Sequence, residues 1–137
     1  VGRRTRESQP PEAIGRLVWG GRPRADVFEP LIDWIESTPA QWPVPVSAAR
    51  IGPLAVATNP GELFVEHGLS IKQRSPFPHT IVAELTNDII LYQPTREAMA
   101  QQGYETLIGA NREDIDGIEI IVDTAVELLH ELWLRGQ

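Results

Sequence analysis

The stretch from Leu54 to Glu97 constrains the fold of this chain most, because it places two apolar segments on either side of a helix-like one. Leu54–Thr58 is a short apolar run closed by Asn-Pro-Gly, whose Pro-Gly pair favours a tight turn. The segment from Glu62 to Arg74 is predicted to be a helix that ends at Ser-Pro-Phe-Pro, since proline disfavours helix in the residue before it. Thr80–Leu85 is predicted as a second strand, which makes a strand–helix–strand unit.

The geometry of this unit places two reactive side chains at one edge of the predicted sheet. Strands joined through a helix are expected to lie parallel with a right-handed crossover, so their carboxyl ends meet at the same edge. Glu62 and Tyr92 follow the two strands and are predicted to leave the sheet there, where ligands collect in open α/β sheets. Glu62 is also expected at a helix N-terminus, which favours its ionised form. The spacing leaves a second interpretation open, in which Glu62 is a first-turn helix residue and Tyr92 a half-buried ring.

The flanking segments complete an α/β fold. Residues 44–50 and Leu54–Thr58 surround Ile-Gly-Pro, a pattern typical of a β-hairpin. Near the C-terminus apolar residues recur at helical spacing; they are Ile118, Ile121, Val122, Ala125, Leu129, Leu132 and Trp133. The predicted fold is α/β: part of a larger mixed sheet with a β-hairpin, one right-handed βαβ unit and a long C-terminal amphipathic helix.

Residues 1–43 are predicted to form a basic arm and a short helix, set apart from an α/β portion at residues 44–137. The net charge of −7 is uneven, because residues 1–24 hold six arginines against two glutamates and so carry +4, which leaves −11 for the remainder. Nucleic-acid binding is not predicted, since no aromatic interleaving or binding motif accompanies the arginines and the rest of the chain would repel phosphate. The arm is expected to pack on an acidic surface of its own assembly. The helix is predicted to start at Asp26 as N-cap, with Glu29 as its reciprocal partner.

Length and composition exclude several classes of protein. With 137 residues and 42% hydrophobic content the chain can bury one modest core. No window of about 18 or more apolar residues occurs, so no membrane span is predicted. Cysteine is absent, which excludes disulfides, thiolate nucleophiles and cysteine-type zinc sites. No Gly-rich phosphate loop, Gly-x-Ser-x-Gly turn or His-Glu-x-x-His motif is present.

Four short motifs in this order resemble the C-terminal part of the catalytic domain of neutral ceramidases and their bacterial ceramidase-like relatives. They are Asn59-Pro60-Gly61-Glu62, the run from Asn87 to Tyr92, Thr95-Arg96-Glu97 and Tyr104-Glu105. The resemblance implies that Glu62 and Tyr92 are zinc ligands, completed by two histidines from earlier in the polypeptide. Asn87, Thr95 and Arg96 are then expected to support the tyrosine ligand from the surrounding loop.

The resemblance further implies an enzyme, a zinc-dependent amide hydrolase that cleaves an N-acyl amide substrate. The family builds a larger catalytic domain than 137 residues provide, so this chain would be its C-terminal portion, active only with an N-terminal part of the same polypeptide or a companion chain that supplies the histidines. An extracytoplasmic location is implied in the same way. The alternative is a non-catalytic α/β binding or assembly module that retains the fold. The number of ligands separates the two, because a catalytic zinc needs about three protein ligands and this chain offers two candidates.

Overall fold

The computed structural model describes residues 2, 4, 18–19, 22–23 and 25–136. Seven short strands and four α-helices follow one another along these residues. In chain order they are β1 Val18–Trp19, β2 Arg22–Pro23, α1 Ala25–Ser37, β3 Ala48–Ile51, β4 Leu54–Thr58, β5 Glu62–Leu63, α2 Val65–Arg74, β6 His79–Ala83, β7 Tyr92–Gln93, α3 Arg96–Gln101 and α4 Ile115–Leu134. A 3₁₀ turn at Tyr104–Thr106 lies between α3 and α4.

Most of the predicted basic arm lies outside the described residues. The prediction that the arm packs on an acidic surface therefore also lies mostly outside the described part of the chain. The described part includes the antiparallel pair β1–β2 and the isolated residues Gly2 and Arg4. The predicted N-cap at Asp26 is wrong, because α1 begins at Ala25 and Asp26 already lies inside its first turn. Ile32 and Ile35 of α1 are fully buried, whereas Leu31 and Trp34 are exposed.

The main sheet is mixed, with strand order β3-β4-β6. β3 and β4 form the predicted hairpin, in which Ala48 pairs with Ala57, and Gly52 turns the chain with a φ of +60° that suits glycine. β4 and β6 are parallel, with Leu54 opposite His79. The prediction of neighbouring parallel strands at Leu54–Thr58 and Thr80–Leu85 is therefore confirmed, and the observed strand spans His79–Ala83.

The predicted helix from Glu62 is shorter than expected, because α2 begins only at Val65. Glu62 instead lies in β5, where its backbone N–H donates to the Leu91 carbonyl at 3.0 Å. The Phe64 N–H donates to the Gln93 carbonyl at 3.2 Å. Because residues 62–63 adopt the extended conformation of a strand, the expectation that Glu62 lies at a helix N-terminus is wrong.

The C-terminal helix α4 is confirmed as the main packing partner of the sheet. It begins at Asp114, whose side chain accepts a hydrogen bond from the Gly117 N–H at 2.6 Å and caps the helix. Trp133 meets Phe77 edge to face with ring centroids 5.0 Å apart. The buried core between the sheet, α2 and α4 comprises Ala55, Ala57, Leu63, Ile71, Phe77, Val122, Ala125, Val126 and Leu129.

A second buried cluster joins α1 to the segment after the 3₁₀ turn. Residues 108–117 have the polar composition of a loop, yet Ile108, Asn111 and Glu113 are fully buried. The cluster comprises Ile32, Ile35, Leu107, Ile108 and Ala110, with Leu91 and Tyr92 packed against it. Within the described residues, none of the helices combines the length and apolar character that crossing a bilayer demands.

Candidate functional site

The two predicted zinc ligands lie side by side. β5 and β7 form a parallel pair in which Glu62 is directly opposite Tyr92. Both side chains are half-buried, so a ligand can reach them. One strand pairing thus brings together two residues that are 30 positions apart in the sequence. This proximity was predicted from the expectation that both residues leave the sheet at the same edge.

Backbone hydrogen bonds fix the turn that presents Glu62. The Ile90 N–H donates to the Pro60 carbonyl at 3.3 Å, and the Leu85 N–H donates to the Gly61 carbonyl at 3.4 Å. These bonds continue the β5–β7 pairing toward β6, so the loop after β6 is tied to the turn after β4. The site therefore stands where the parallel strands of the main sheet end, as expected for an α/β fold.

The buried side-chain amides of Asn59 and Gln93 stabilise this turn. The Asn59 side-chain NH₂ donates to the Gln93 side-chain oxygen at 2.5 Å and to the Gly61 carbonyl at 2.9 Å. Gly61 has no room for a side chain, because a Cβ there would lie 2.6 Å from Gln93 Oε1 and 2.8 Å from the Leu91 carbonyl oxygen. The Asn-Pro-Gly-Glu motif thus has a structural reason for its asparagine and its glycine.

The backbone of Tyr92 is fixed on its other side. Its N–H donates to the Ala110 carbonyl at 3.0 Å, and its carbonyl accepts from the Asn111 side chain at 2.8 Å. Arg4 in turn donates to Asn111 Oδ1 at 3.0 Å and to the Thr106 carbonyl. A buried polar network therefore links the start of the chain to the backbone of the tyrosine.

The charge of Glu62 is the main electrostatic influence on Tyr92. Its negative charge is the largest cause that raises the pKa of Tyr92, followed by burial, a hydrogen bond between the two side chains, and the nearby Tyr104 and Glu105. The phenol is thus protonated at neutral pH and can donate to the carboxylate. The Tyr104 ring stands edge to face with the Tyr92 ring, with centroids 6.0 Å apart, so a second tyrosine flanks the pair.

The three predicted supporting residues lie near the site but not on the tyrosine ring. The Thr95 hydroxyl accepts from the Ala98 N–H at 3.1 Å and caps α3. Arg96 binds Asp116 at 2.9 Å and Glu119 at 2.7 Å, which joins α3 to α4 and raises the pKa of the guanidinium. Asn87 is exposed in the loop before β7 with a φ of +73°. No described hydrogen bond joins any of the three to the Tyr92 side chain.

A carboxylate and a phenol make a reasonable but incomplete donor set for a divalent metal. Both supply oxygen, and a coordinated cation favours the deprotonated phenol that Glu62 alone disfavours. Within the described residues, no group of three or more His, Cys, Asp or Glu side chains could hold a metal ion. The pair therefore offers two oxygen donors, fewer than the about three protein ligands of a catalytic zinc site.

The three histidines lie elsewhere. His67 Nε2 is 3.2 Å from the Pro94 carbonyl, and His130 Nε2 is 2.9 Å from the Arg74 carbonyl. His79 is exposed at the start of β6, at the end of the sheet opposite the site.

Sequence reasoning missed the buried polar residues behind the site. Glu113 is fully buried, and neither of its carboxyl oxygens has a hydrogen-bond partner elsewhere in the described part of the chain. Burial is the main cause that raises its pKa to about 8, while its own backbone N–H and Arg112 act in the opposite direction. The polar composition of this stretch is typical of a solvated loop. One sequence feature could have indicated the burial. Asp114 lies three residues before Gly117, a spacing that allows Asp114 to cap a helix, and Glu113 immediately precedes this cap.

The site thus combines a half-buried acid–phenol pair, a flanking tyrosine and a buried polar network that fixes the backbone. Its chemistry can accept a cation or donate a hydrogen bond to a carbonyl group. Comparisons with protein-family models, with curated proteins and with solved structures found no match for this chain.

Proposed function

We propose that this chain is the C-terminal portion of a zinc-dependent amidohydrolase that cleaves an N-acyl amide bond. Glu62 and Tyr92 act as two of the zinc ligands, and histidines from an upstream part of the polypeptide or from a companion chain complete the site. The observation that carries the proposal is the direct pairing of Glu62 with Tyr92 in adjacent parallel strands. The resemblance of the surrounding motifs to neutral ceramidases supplies the reaction class.

The charge balance of the pair supports a cation at this position. Glu62 raises the pKa of Tyr92, because the carboxylate charge disfavours a phenolate beside it. A bound divalent cation offsets this repulsion, because it favours the charged form of a coordinated oxygen. Zinc in such a site supplies Lewis-acid polarisation of the acyl carbonyl and a water molecule of lowered pKa.

The other residues of this chain position the pair and face the substrate. Asn111 and the β5–β7 pairing hold the Tyr92 backbone, while the Thr95 cap and the Arg96 ion pairs set the course of the chain after β7. This is the supporting role proposed for Thr95 and Arg96, together with Asn87 in the preceding loop. The Tyr104 hydroxyl flanks the pair and can donate to the substrate carbonyl. The group that transfers protons lies outside this chain.

The test compares zinc content in the full-length polypeptide, purified with its upstream part or companion chain. Wild-type protein is expected to contain one zinc per chain, and Glu62→Ala or Tyr92→Phe is expected to lower that content at least tenfold, as losses of metal-binding groups do. Tyr104→Phe and Glu66→Ala are matched controls that should leave it unchanged, since Tyr104 flanks the pair and Glu66 is exposed on α2. Stoichiometric zinc that persists in both Glu62→Ala and Tyr92→Phe contradicts the ligand assignment.

The reaction is tested separately on the zinc-loaded protein with a panel of N-acyl amides of different acyl length. Hydrolysis that stops with a chelator and returns with zinc is the expected result. Activity that survives complete removal of zinc contradicts the mechanism. A zinc-loaded protein that hydrolyses none of the panel favours the alternative, a non-catalytic α/β module that binds or assembles through the same fold.

A further inference from the structure

Arg4 lies beside the segment that leads into α4. Its backbone N–H donates to the Arg112 carbonyl at 2.9 Å, and the Asp114 N–H donates to the Gly2 carbonyl at 3.1 Å. The two stretches run in opposite directions, because the higher-numbered residue on one side bonds to the lower-numbered residue on the other. This antiparallel contact brings the Arg4 side chain next to the residues that support the candidate site.

The Arg4 guanidinium donates to neutral groups. It donates to Asn111 Oδ1 at 3.0 Å and to the Thr106 carbonyl, and Met99 Sδ lies 3.9 Å away. Among the described residues, no carboxylate forms an ion pair with Arg4. Burial lowers the pKa of Arg4, since removal from water disfavours its charged form. The side chain is therefore held in place by the groups to which it donates rather than by an opposite charge.

The contact with Arg4 decides which way the Asn111 amide points. A guanidinium can only donate hydrogen bonds, and a peptide carbonyl can only accept them. Asn111 Oδ1 therefore faces Arg4, and the Asn111 NH₂ faces the Tyr92 carbonyl, to which it donates at 2.8 Å. Asn111 is fully buried, so water does not compensate for the opposite orientation. Arg4 thus selects the orientation in which Asn111 holds the backbone of Tyr92.

The same guanidinium holds the turn that carries the second tyrosine. Thr106 is the last residue of the 3₁₀ turn that begins at Tyr104, and its carbonyl accepts from Arg4. The Tyr104 ring lies edge to face with the Tyr92 ring. One side chain therefore connects the backbones of the two segments that bring these rings together.

We propose that Arg4 is a positioning residue for the Glu62–Tyr92 pair and acts through Asn111 and the Thr106 carbonyl. No described hydrogen bond joins Arg4 to either side chain of the pair. It fixes the Tyr92 backbone, which places the phenol opposite Glu62. The consequence for zinc rests on the proposed function, in which Tyr92 is a ligand. Groups that orient a metal ligand contribute about 10–100-fold to metal affinity, so loss of the contact between Arg4 and Asn111 is expected to weaken zinc binding about tenfold.

Two substitutions interrupt this chain of hydrogen bonds at different points. Arg4→Met keeps an apolar stem but removes the donor. Asn111→Asp keeps an acceptor for Arg4, which favours the ionised carboxylate, and this carboxylate cannot donate to the Tyr92 carbonyl. The added negative charge attracts cations, so weaker zinc binding in Asn111→Asp is not an effect of charge.

Two further substitutions serve as controls. Arg4→Lys retains a positively charged donor and is expected to restore most of the effect of Arg4. Arg74→Met removes the same charge from a surface ion pair, in which Arg74 contacts Asp123 of α4 at 2.8 Å, and is expected to change nothing at the site.

The first measurement is the nuclear Overhauser effect between the two tyrosine rings in the zinc-free chain. The chain has two tyrosines, so a contact between tyrosine rings is that of Tyr92 with Tyr104. This contact is expected to weaken or disappear in Arg4→Met and Asn111→Asp and to persist in Arg4→Lys and Arg74→Met. The contact between the Phe77 and Trp133 rings, whose centroids lie 5.0 Å apart in the other cluster, is expected to persist in all four variants.

The second measurement is the zinc affinity of the full-length polypeptide, purified with its upstream part or companion chain. The expected result is about tenfold weaker binding in Arg4→Met and Asn111→Asp, and nearly wild-type binding in Arg4→Lys and Arg74→Met.

The two measurements separate the positioning role from the zinc site. A tyrosine contact that persists in both Arg4→Met and Asn111→Asp overturns the positioning role, and so does its loss together with the contact between Phe77 and Trp133. A tyrosine contact that is lost while zinc binding is unchanged supports the positioning role and contradicts Tyr92 as a zinc ligand. If the wild-type protein binds no zinc, the proposed function fails and the ring contact alone decides the role of Arg4.

Discussion

At the scale of single residues, Glu62 and Tyr92 face each other across the β5–β7 strand pair. Each residue alone is ordinary, an acid after a turn and a tyrosine after a loop. Their pairing makes the carboxylate charge the main influence on the phenol, and the buried amides of Asn59 and Asn111 keep both backbones in place. The site is thus a property of the pair.

The influence of Glu62 on Tyr92 can be measured without metal. In a Tyr104→Phe background Tyr92 is the only tyrosine, so the absorbance of tyrosinate during a pH titration reports its pKa alone. Glu62→Gln is expected to lower the pKa of Tyr92 toward the ordinary value of about 10, because the carboxylate charge that disfavours the phenolate is removed. Glu66→Gln, an exposed acid on α2, serves as the control and should not change it. An unchanged pKa in Glu62→Gln means that the two side chains do not interact.

At the scale of elements, the short strand β5 decides where the neighbouring helix begins. Its donors pair with the backbone of β7, and α2 starts only after this pairing ends at Phe64. Gly61 permits the close approach, because a side chain there would overlap Gln93 and the Leu91 carbonyl. The turn and the helix are therefore adjacent in sequence but governed by different contacts.

Two glycine substitutions separate these effects. Gly61→Ala is expected to lower the free energy of unfolding by about 1–3 kcal/mol, the usual cost of forcing a side chain into packed structure. Gly68→Ala, in the middle of α2 with nothing within 4 Å of its new Cβ, is expected to raise it by about 0.5–1 kcal/mol through helix propensity. Urea unfolding followed by circular dichroism measures both. Equal effects of the two substitutions would mean that the β5–β7 contact is not close.

At the scale of the whole molecule, the buried apolar residues form two separate clusters. One lies between the sheet and the helices, and the other joins α1 to residues 107–110. Glu113 is buried in the segment that connects the second cluster to α4, and it has no hydrogen-bond partner elsewhere among the described residues. Burial disfavours the charged form of such a carboxyl, so the stability of the fold depends on pH.

The sign of that dependence follows from the shifted pKa. Burial raises the pKa of Glu113 to about 8 from its ordinary value of 4.5, so between these pH values the folded state binds a proton that the unfolded state has lost. The contribution of Glu113 to stability is therefore full below pH 4.5, falls as pH rises and is lost above about pH 8, a change of a few kcal/mol in total. Glu113→Gln removes this dependence, so its stability relative to wild type should rise with pH across the same range.

Thermal or urea unfolding of wild type and Glu113→Gln between pH 4.5 and 9 measures this difference, which isolates Glu113 from the other carboxyl groups. Glu127→Gln is a suitable control because Glu127 is exposed on α4 and its substitution should give no pH-dependent difference. A constant difference between wild type and Glu113→Gln over the whole range would show that Glu113 is ionised or solvated in the folded protein.

The sequence by itself determined the elements whose patterns are strong and local. The apolar runs of β4 and β6, the hairpin turn at Gly52 and the apolar stripe of α4 are confirmed because hydrophobic periodicity records which face each segment buries. The parallel pairing of β4 with β6 could be predicted because a helix connects the two strands. The proximity of Glu62 and Tyr92 could be predicted in turn from that pairing.

Only the tertiary structure decided the conformation of Glu62 and the burial of residues 107–113. Local propensity favoured a helix from Glu62, but the partners of its backbone lie about 30 residues later in β7, beyond any local pattern. Asn111 and Glu113 look like loop residues because polar composition predicts exposure, yet both are fully buried; the preceding Leu107, Ile108 and Ala110 pack against α1, and Asn111 accepts a hydrogen bond from Arg4. Long-range pairing outweighs local preference at these positions, since a buried backbone group must find its hydrogen-bond partner wherever in the chain that partner lies.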